Sequence, residues 1–240
     1  MVKQGLRQSG RTRRLAWIAL LVSVLVAGWL RFDGLNWDDR SLPHPDERFN
    51  TTVAAKLHSG RLTLEGTADA DARRALCRTR NGGPEGVGGW FDTACSDFNP
   101  ANVGHPAYPY GQLPLTGVRL LAELAVAAGG PTALAEYGGI VLIGRAFSAA
   151  CDVLTVLATF LLGRLAWGTP AGALAAAFYG LAVLPIQAAH FWTVDTSATL
   201  FATVALLFLV RITRFGHKAD ALAFGVALGL GLASKISIAP

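Results

Sequence analysis

Apolar residues fall along this chain in runs of membrane-spanning length, separated by polar segments of unequal size. The first run covers 15–31, with Trp17 and Trp29 near its ends. A long polar region follows over 32–137. Four further runs come after it, at 138–162, 171–186, 197–210 and 221–239. A helix needs about 20 mostly apolar residues to cross the hydrocarbon core. The pattern therefore predicts an all-α integral membrane protein, with one span at 15–31 and four more within 138–240. Two shorter stretches in the polar region, 45–58 and 113–128, have one apolar face each and predict interfacial helices.

Composition agrees with the pattern. The chain is 52% hydrophobic, its mean hydropathy is +0.40, and only 15% of its residues are charged. Soluble proteins average about 25% charged. The net charge of +5 is not a nucleic-acid footprint, because Lys3, Arg7, Arg11, Arg13 and Arg14 precede the first run and act as a topology signal. No small-residue cleavage site follows that run; Arg31-Phe32-Asp33 comes instead, so it reads as an uncleaved span. Residues 1–14 are then a basic cytoplasmic N-terminus at the cell (inner) membrane, and 32–137 is an extracytoplasmic loop. That loop holds thirteen acidic and nine Lys/Arg residues between Phe32 and Tyr137. Cys77 and Cys95 both lie in it, where an oxidising compartment permits a disulfide. Their geometry is not given by sequence. Cys151, in an apolar run, reads as a small buried hydrophobe.

The stretch 113–128 carries Arg119 and Glu123, and charges near a bilayer centre cost about 2.5–3.5 kcal/mol each on insertion scales. If it does not span, Arg164 falls inside, 185–195 outside, and Arg211, Arg214 and Lys218 inside, as the positive-inside rule requires. It is therefore expected on the outer interface. The chain closes on an apolar run and reads as the N-terminal part of a larger membrane protein.

The chemistry concentrates at His44-Pro45-Asp46-Glu47, just outside the first span. Pro45 suits the first position of a helix, and Asp46 and Glu47 fall in its first turn. Two readings stand: a helix cap, or a carboxylate pair working on a substrate at the outer face. Arg145, Ser148, Asp152, Thr155 and Thr159 form a polar stripe on the second span. Ionisable residues inside a span are functional candidates, and the alternative is a structural Arg145–Asp152 pair bridging to neighbours. Asp195 opens the fourth span, with Thr199 and Thr203 on its face, as an N-cap or as a site residue. Asp46, Glu47, Arg145 and Asp195 all belong to the outer half of the membrane. Acids and a cation converging there suit a phosphate-linked lipid substrate.

The run Leu30-Arg31-Phe32, followed by His44-Pro45-Asp46-Glu47-Arg48-Phe49, resembles the start of the polyprenyl-phosphate-dependent GT-C glycosyltransferases. The likeness is to bacterial members of glycosyltransferase family 39, related to protein O-mannosyltransferases and the lipid A aminoarabinose transferase. His105-Pro106-Ala107-Tyr108-Pro109-Tyr110-Gly111-Gln112-Leu113-Pro114-Leu115 resembles that family's segment before an interfacial helix. Arg145-Ala146-Phe147-Ser148-Ala149 resembles its second-span arginine motif, and His190 to Thr196 its aromatic-Asp-Thr motif. The ordered set runs from about Leu30 to the end; the family itself is longer, with more spans and often a C-terminal soluble domain.

The resemblance implies a GT-C-type multi-span bundle with a large first extracytoplasmic loop. It implies transfer of a sugar from a polyprenyl-phosphate carrier to a glycan, lipid or protein acceptor at the outer face, by an inverting single displacement. Asp46 matches the family's first-loop acid and would be the general base, with Glu47 beside it. Arg145 would grip the donor phosphate through its fork. Asp195, His105 and Tyr108 would position the acceptor or a cation. No tight ligand spacing marks a metal site; a divalent cation is left open. The partners implied are the lipid-linked sugar, the acceptor and the bilayer, with no nucleic acid. Two other classes stay in view: a transporter or flippase fragment, whose internal repeats are not seen here, and an inactive remnant that binds lipid phosphate.

Overall fold

The computed structural model describes residues 10–59 and 90–238. The protein is an all-α membrane protein, and no strand occurs among the described residues. Its helices are α1 (Gly10–Phe32), α2 (Pro45–Ala54), α3 (Gln112–Ala127), α4 (Tyr137–Trp167), α5 (Thr169–Gly180), α6 (Val183–Ala189), α7 (Asp195–Phe215) and α8 (Lys218–Ser234). Helices α1, α4 and α7 are long and apolar enough to cross a membrane. At about 1.5 Å per residue, the 17 residues of α8 reach about 26 Å, near the lower limit for a span.

The apolar run over 171–186 is not one straight helix. It is the pair α5 and α6, bent by 59°. The cause is Pro185: in a continuous helix its ring would meet the carbonyl of residue 181, and it has no N–H to give. The break falls there. Ala182 is extended (φ −67°, ψ 130°) and Pro185 sits in the first turn of a new helix, where proline is tolerated.

Helix α4 is the spine, packing on α1, α2, α3, α5 and α7. At 31 residues it is about 46 Å long and exceeds the hydrocarbon thickness. Two cores form along it. One unites Ala16, Leu20 and Ala27 of α1 with Val156 and Phe160 of α4 and Ala173 and Ala176 of α5. The other lies at the opposite end, where Val53, Leu57, Leu115, Val118, Ala122, Ile140 and Trp192 come together. Helix α3 thus presents an apolar face to α2 and α4. Its Arg119, almost fully buried, pairs with Glu123 (Nε to Oε1, 2.7 Å) and donates to the Ala135 carbonyl at 2.8 Å. The charge that argues against a spanning role is satisfied inside the protein.

A second buried charge ties the membrane-embedded helices. Arg31 is fully buried and donates from Nε to Oδ2 of Asp152, itself 2% exposed. Its Nη1 reaches the carbonyls of Ala27 (3.2 Å) and Gly180 (2.9 Å), and the Tyr179 hydroxyl donates to Asp152 Oδ1 at 2.5 Å. Helices α1, α4 and α5 are held by this one cluster. Asp152 is therefore in a structural pair, but its partner is Arg31 on α1 and not Arg145 on its own helix. Cys151 is buried and free. The Cys77–Cys95 bridge that the sequence permits involves Cys77, which lies outside the described residues.

Removing one partner of a buried ion pair strands the other charge, at about 3–5 kcal/mol, whereas an apolar replacement of both is far milder. Arg31→Met is expected to destabilise the protein by that order, and Arg31→Met with Asp152→Leu to regain most of the loss. Denaturant titration in detergent micelles measures both; equal loss in the single and double variants would disprove the pairing energy.

Candidate active site

The segment after α1 and the start of α2 are built to aim carboxylates. Pro45 begins α2, and the His44 side chain caps it by accepting from the Asp46 N–H at 3.2 Å. Upstream, Asp39, Arg40 and Leu42 have φ of +48°, +64° and +52°, in the left-handed region that residues other than glycine rarely adopt. Asp38 supports that path by accepting N–H bonds from Arg40 (3.2 Å) and Leu42 (3.0 Å). Strain of this kind persists where surrounding contacts over-determine it. Here those contacts centre on Arg145.

Arg145 lies in α4 and is fully buried. Its Nε and Nη2 grip Glu47 (2.8 Å to Oε1, 2.8 Å to Oε2). Its Nη1 and Nη2 grip Asp38 (2.7 Å to Oδ1, 2.9 Å to Oδ2), and Nη1 also donates to the Leu35 carbonyl at 2.7 Å. A guanidinium has five N–H donors in a fixed fork, and these bonds occupy all of them. The sequence reading of Arg145 as a phosphate ligand meets a side chain with no donor left. A phosphate would have to displace a carboxylate.

Glu47 is equally committed. Besides the Arg145 fork, its Oε1 accepts the Trp192 N–H at 2.8 Å, and it is fully buried. Trp192 rests on Gly144, one residue before Arg145: a Cβ there would fall 2.2 Å from the indole. Asn50 of α2 donates to the Trp192 carbonyl at 3.2 Å, and Tyr108 donates to Asn50 Oδ1 at 2.9 Å. One polar network therefore runs from Tyr108 through Asn50, Trp192 and Glu47 to Arg145 and Asp38. It locks α2 against α4 and the turn before α7.

Above this network is an open cluster. Asp46 is half-buried, one residue from Glu47 but on the accessible side. Tyr110 lies near this carboxylate and near Asp195; burial and those two acids push the phenol up to about 12. Tyr110 therefore stays neutral and keeps its hydroxyl proton. Asp195 is exposed at the start of α7 and pairs with Lys235 Nζ at 2.6 Å. Lys235 reaches the cluster because the backbone before α3 touches the end of α8. Gly111 N–H donates to the Ser234 carbonyl at 3.1 Å, and a Cβ on Gly111 would fall 2.1 Å from the Ala233 oxygen. Tyr108 stacks on Phe49 at 5.7 Å and His105 meets the same ring edge-on at 5.8 Å. Burial and the nearby Lys56 lower the His105 pKa, and its Nε2 has no hydrogen-bond partner among the described residues.

Of the sequence-predicted residues, Asp46, Asp195 and Tyr108 gather around Tyr110. His105 lies beside them behind Phe49, and Glu47 and Arg145 are sealed beneath. Asp38, Tyr110, Trp192 and Lys235 were not singled out from sequence. Lys235 had a signal: it is a lone basic residue at the end of α8 opposite the one carrying Arg211, Arg214 and Lys218. Among the described residues no group of three His, Cys, Asp or Glu side chains could hold a metal ion. The charge of Asp195 is met by an ammonium instead.

The Arg145 fork holds the Asp38 carboxyl down at about 2. A carboxyl with a depressed folded pKa contributes stability that is present above its unfolded pKa, about 3.9, and is lost as pH falls through the folded value. Stability is expected to fall between about pH 4 and pH 2, with a shallower slope in Asp38→Asn; identical slopes in the two proteins would overturn this. Arg145→Lys keeps the charge but has three donors in place of five, and the two lost charge-assisted hydrogen bonds should cost about 3 kcal/mol or more in the same titration.

No curated protein and no solved structure matches the chain significantly. The sequence profile of the dolichyl-phosphate-mannose-protein mannosyltransferase family matches residues 138–240, the part that carries Arg145, Asp195 and Lys235.

Proposed function

We propose that this protein is a membrane glycosyltransferase that moves a sugar from a polyprenyl-phosphate carrier to an acceptor at the outer face of the inner membrane. The family match over 138–240 supports the reaction class. The observation that carries the reading is that an accessible carboxylate, Asp46, and the ammonium of the Asp195–Lys235 ion pair lie on one open cluster around Tyr110. A glycosyl transfer from a lipid phosphate needs these two parts: a base for the incoming hydroxyl and positive charge for the departing phosphate.

Asp46 takes the proton of the acceptor hydroxyl as its oxygen attacks the anomeric carbon. The bond from that carbon to the phosphate oxygen breaks, and the phosphate leaves as an anion, which needs no strong general acid. Lys235 receives that anion, in place of the Arg145 role drawn from sequence. Tyr110 orients the Asp46 carboxylate through its neutral hydroxyl, and Asp195 holds Lys235. Tyr108 and His105 form the aromatic side of the acceptor site. Glu47 and Arg145 are positioning residues: they fix α2 so that Asp46 faces the cluster. Orientation follows the charges. Arg11, Arg13 and Arg14 at the start of α1 lie at the opposite end of the bundle from Asp46, along with Arg164, Arg211 and Arg214. That basic end is the cytoplasmic one.

Asp46→Asn is expected to abolish transfer from polyprenyl-phosphate sugars while leaving unfolding unchanged. Lys235→Ala is expected to raise the donor KM by roughly tenfold or more, in keeping with the loss of a charge-assisted contact. Both are read by radiolabelled sugar transfer in proteoliposomes across a donor panel. Near-normal transfer by Asp46→Asn would sink the base assignment, and an unchanged donor KM would remove Lys235 from the phosphate site.

A further inference from the structure

The end of the bundle opposite the candidate active site carries features that the transfer reaction does not use. Helices α4, α7 and α8 border an open groove of about 650 Å³ whose walls are aliphatic and aromatic, among them Leu157, Leu161, Val204, Leu207, Phe208 and Ala223. At its basic end it runs into a second cavity of about 570 Å³. The two share Leu161, Leu207 and Phe208, and the second adds Arg164, Arg211 and Arg214. An apolar groove thus leads into a cluster of guanidinium groups.

These arginines are only partly occupied. Arg164 is exposed and lies over the Trp17 ring at 5.4 Å. Arg211 gives Nε to Asp220 at 2.8 Å and stays 40% exposed. Arg214 is exposed and reaches the Leu165 and Ala166 carbonyls at the end of α4. Against three positive charges stands one acid, Asp220. Trp167 (80% exposed) and Phe215 (52% exposed) flank the cluster, in the position where aromatic residues anchor at a membrane–water interface.

We infer that this groove binds an anionic phospholipid, with its phosphate on Arg164, Arg211 and Arg214 and an acyl chain between α4, α7 and α8. Charge complementarity selects the occupant. A neutral lipid leaves the net positive cluster unmatched. A free phosphate has no use for the apolar groove. A basic pocket between spanning helices is the arrangement that holds acidic head groups. The guanidinium fork matches phosphate oxygens in pairs. The site is distinct from the donor site: it lies at the other end of α4 and α7.

Native mass spectrometry of the purified protein, titrated with phosphatidylglycerol or phosphatidylcholine, tests this directly. The expected result is a preference for phosphatidylglycerol of roughly tenfold, the scale of a few arginine–headgroup contacts, weakening as ammonium acetate concentration rises. Arg211→Gln with Arg214→Gln should bring the two lipids to parity. Ala223→Trp, which fills the groove and leaves every charge in place, should lower binding of both lipids. Equal binding of the two lipids by the unaltered protein overturns the inference, and so does an undiminished preference in the arginine variant. If that variant is not recovered folded, the lipid preference and salt dependence of the unaltered protein decide the matter.

Discussion

The burial of Arg145 is the constraint on which the half of this protein around α2, α3 and the turn before α7 depends. A guanidinium taken out of water needs partners for its N–H groups to offset the desolvation cost, and all five of those of Arg145 are engaged. Asp38, Glu47 and the Leu35 carbonyl supply those partners. They come from the segment after α1 and from α2, which are far from α4 in sequence. Meeting the charge therefore folds the first loop onto the spine. The two carboxylates exceed the one cation, and the Trp192 N–H absorbs part of the surplus on Glu47. That bond draws in the turn before α7. The left-handed residues Asp39, Arg40 and Leu42 are the local cost of presenting Asp38 to the fork.

Neighbouring acids end up in opposite environments as a result. Asp46 and Glu47 are adjacent on α2, and successive helix positions point about 100° apart. Once Glu47 turns into the protein to meet Arg145, Asp46 must face the open side beside Tyr110. The buried acid fixes the orientation and the neighbouring acid is left on the accessible side. A second clamp, Arg31 with Asp152 and Tyr179, does the same for α1, α4 and α5 within the apolar part. The polar stripe of α4 thus serves two separate structural charges. At the end of α4 near α2 its partners leave a second carboxylate, Asp46, accessible; around Asp152 they do not.

Much of the architecture was legible in the chain. The apolar runs located α1, α4 and α7, because spanning length is a direct consequence of bilayer thickness. Pro45 and the acids after it located α2, since capping is a local property. The stretch 113–128 was expected as an amphipathic helix, and α3 covers Gln112–Ala127. The bend in the run over 171–186 was missed, although Pro185 was visible: hydropathy averages over a window and ignores a missing N–H. The site was read in part. Asp46, Asp195 and Tyr108 were chosen and lie around Tyr110, while Asp38, Tyr110 and Lys235 were not singled out.

The sequence by itself determined the class of protein, the helices and the polar residues worth watching, because each follows from composition, period and local capping. Which acid pairs with which base was decided only by the tertiary structure. Arg145 and Asp152 share a helix face, and spacing alone offered them to each other. The structure gives Arg145 to Asp38 and Glu47, and Asp152 to Arg31. The reason is physical: a buried charge selects the partner that can reach it with aligned donors and acceptors. That reach depends on how distant segments pack, which no local pattern encodes.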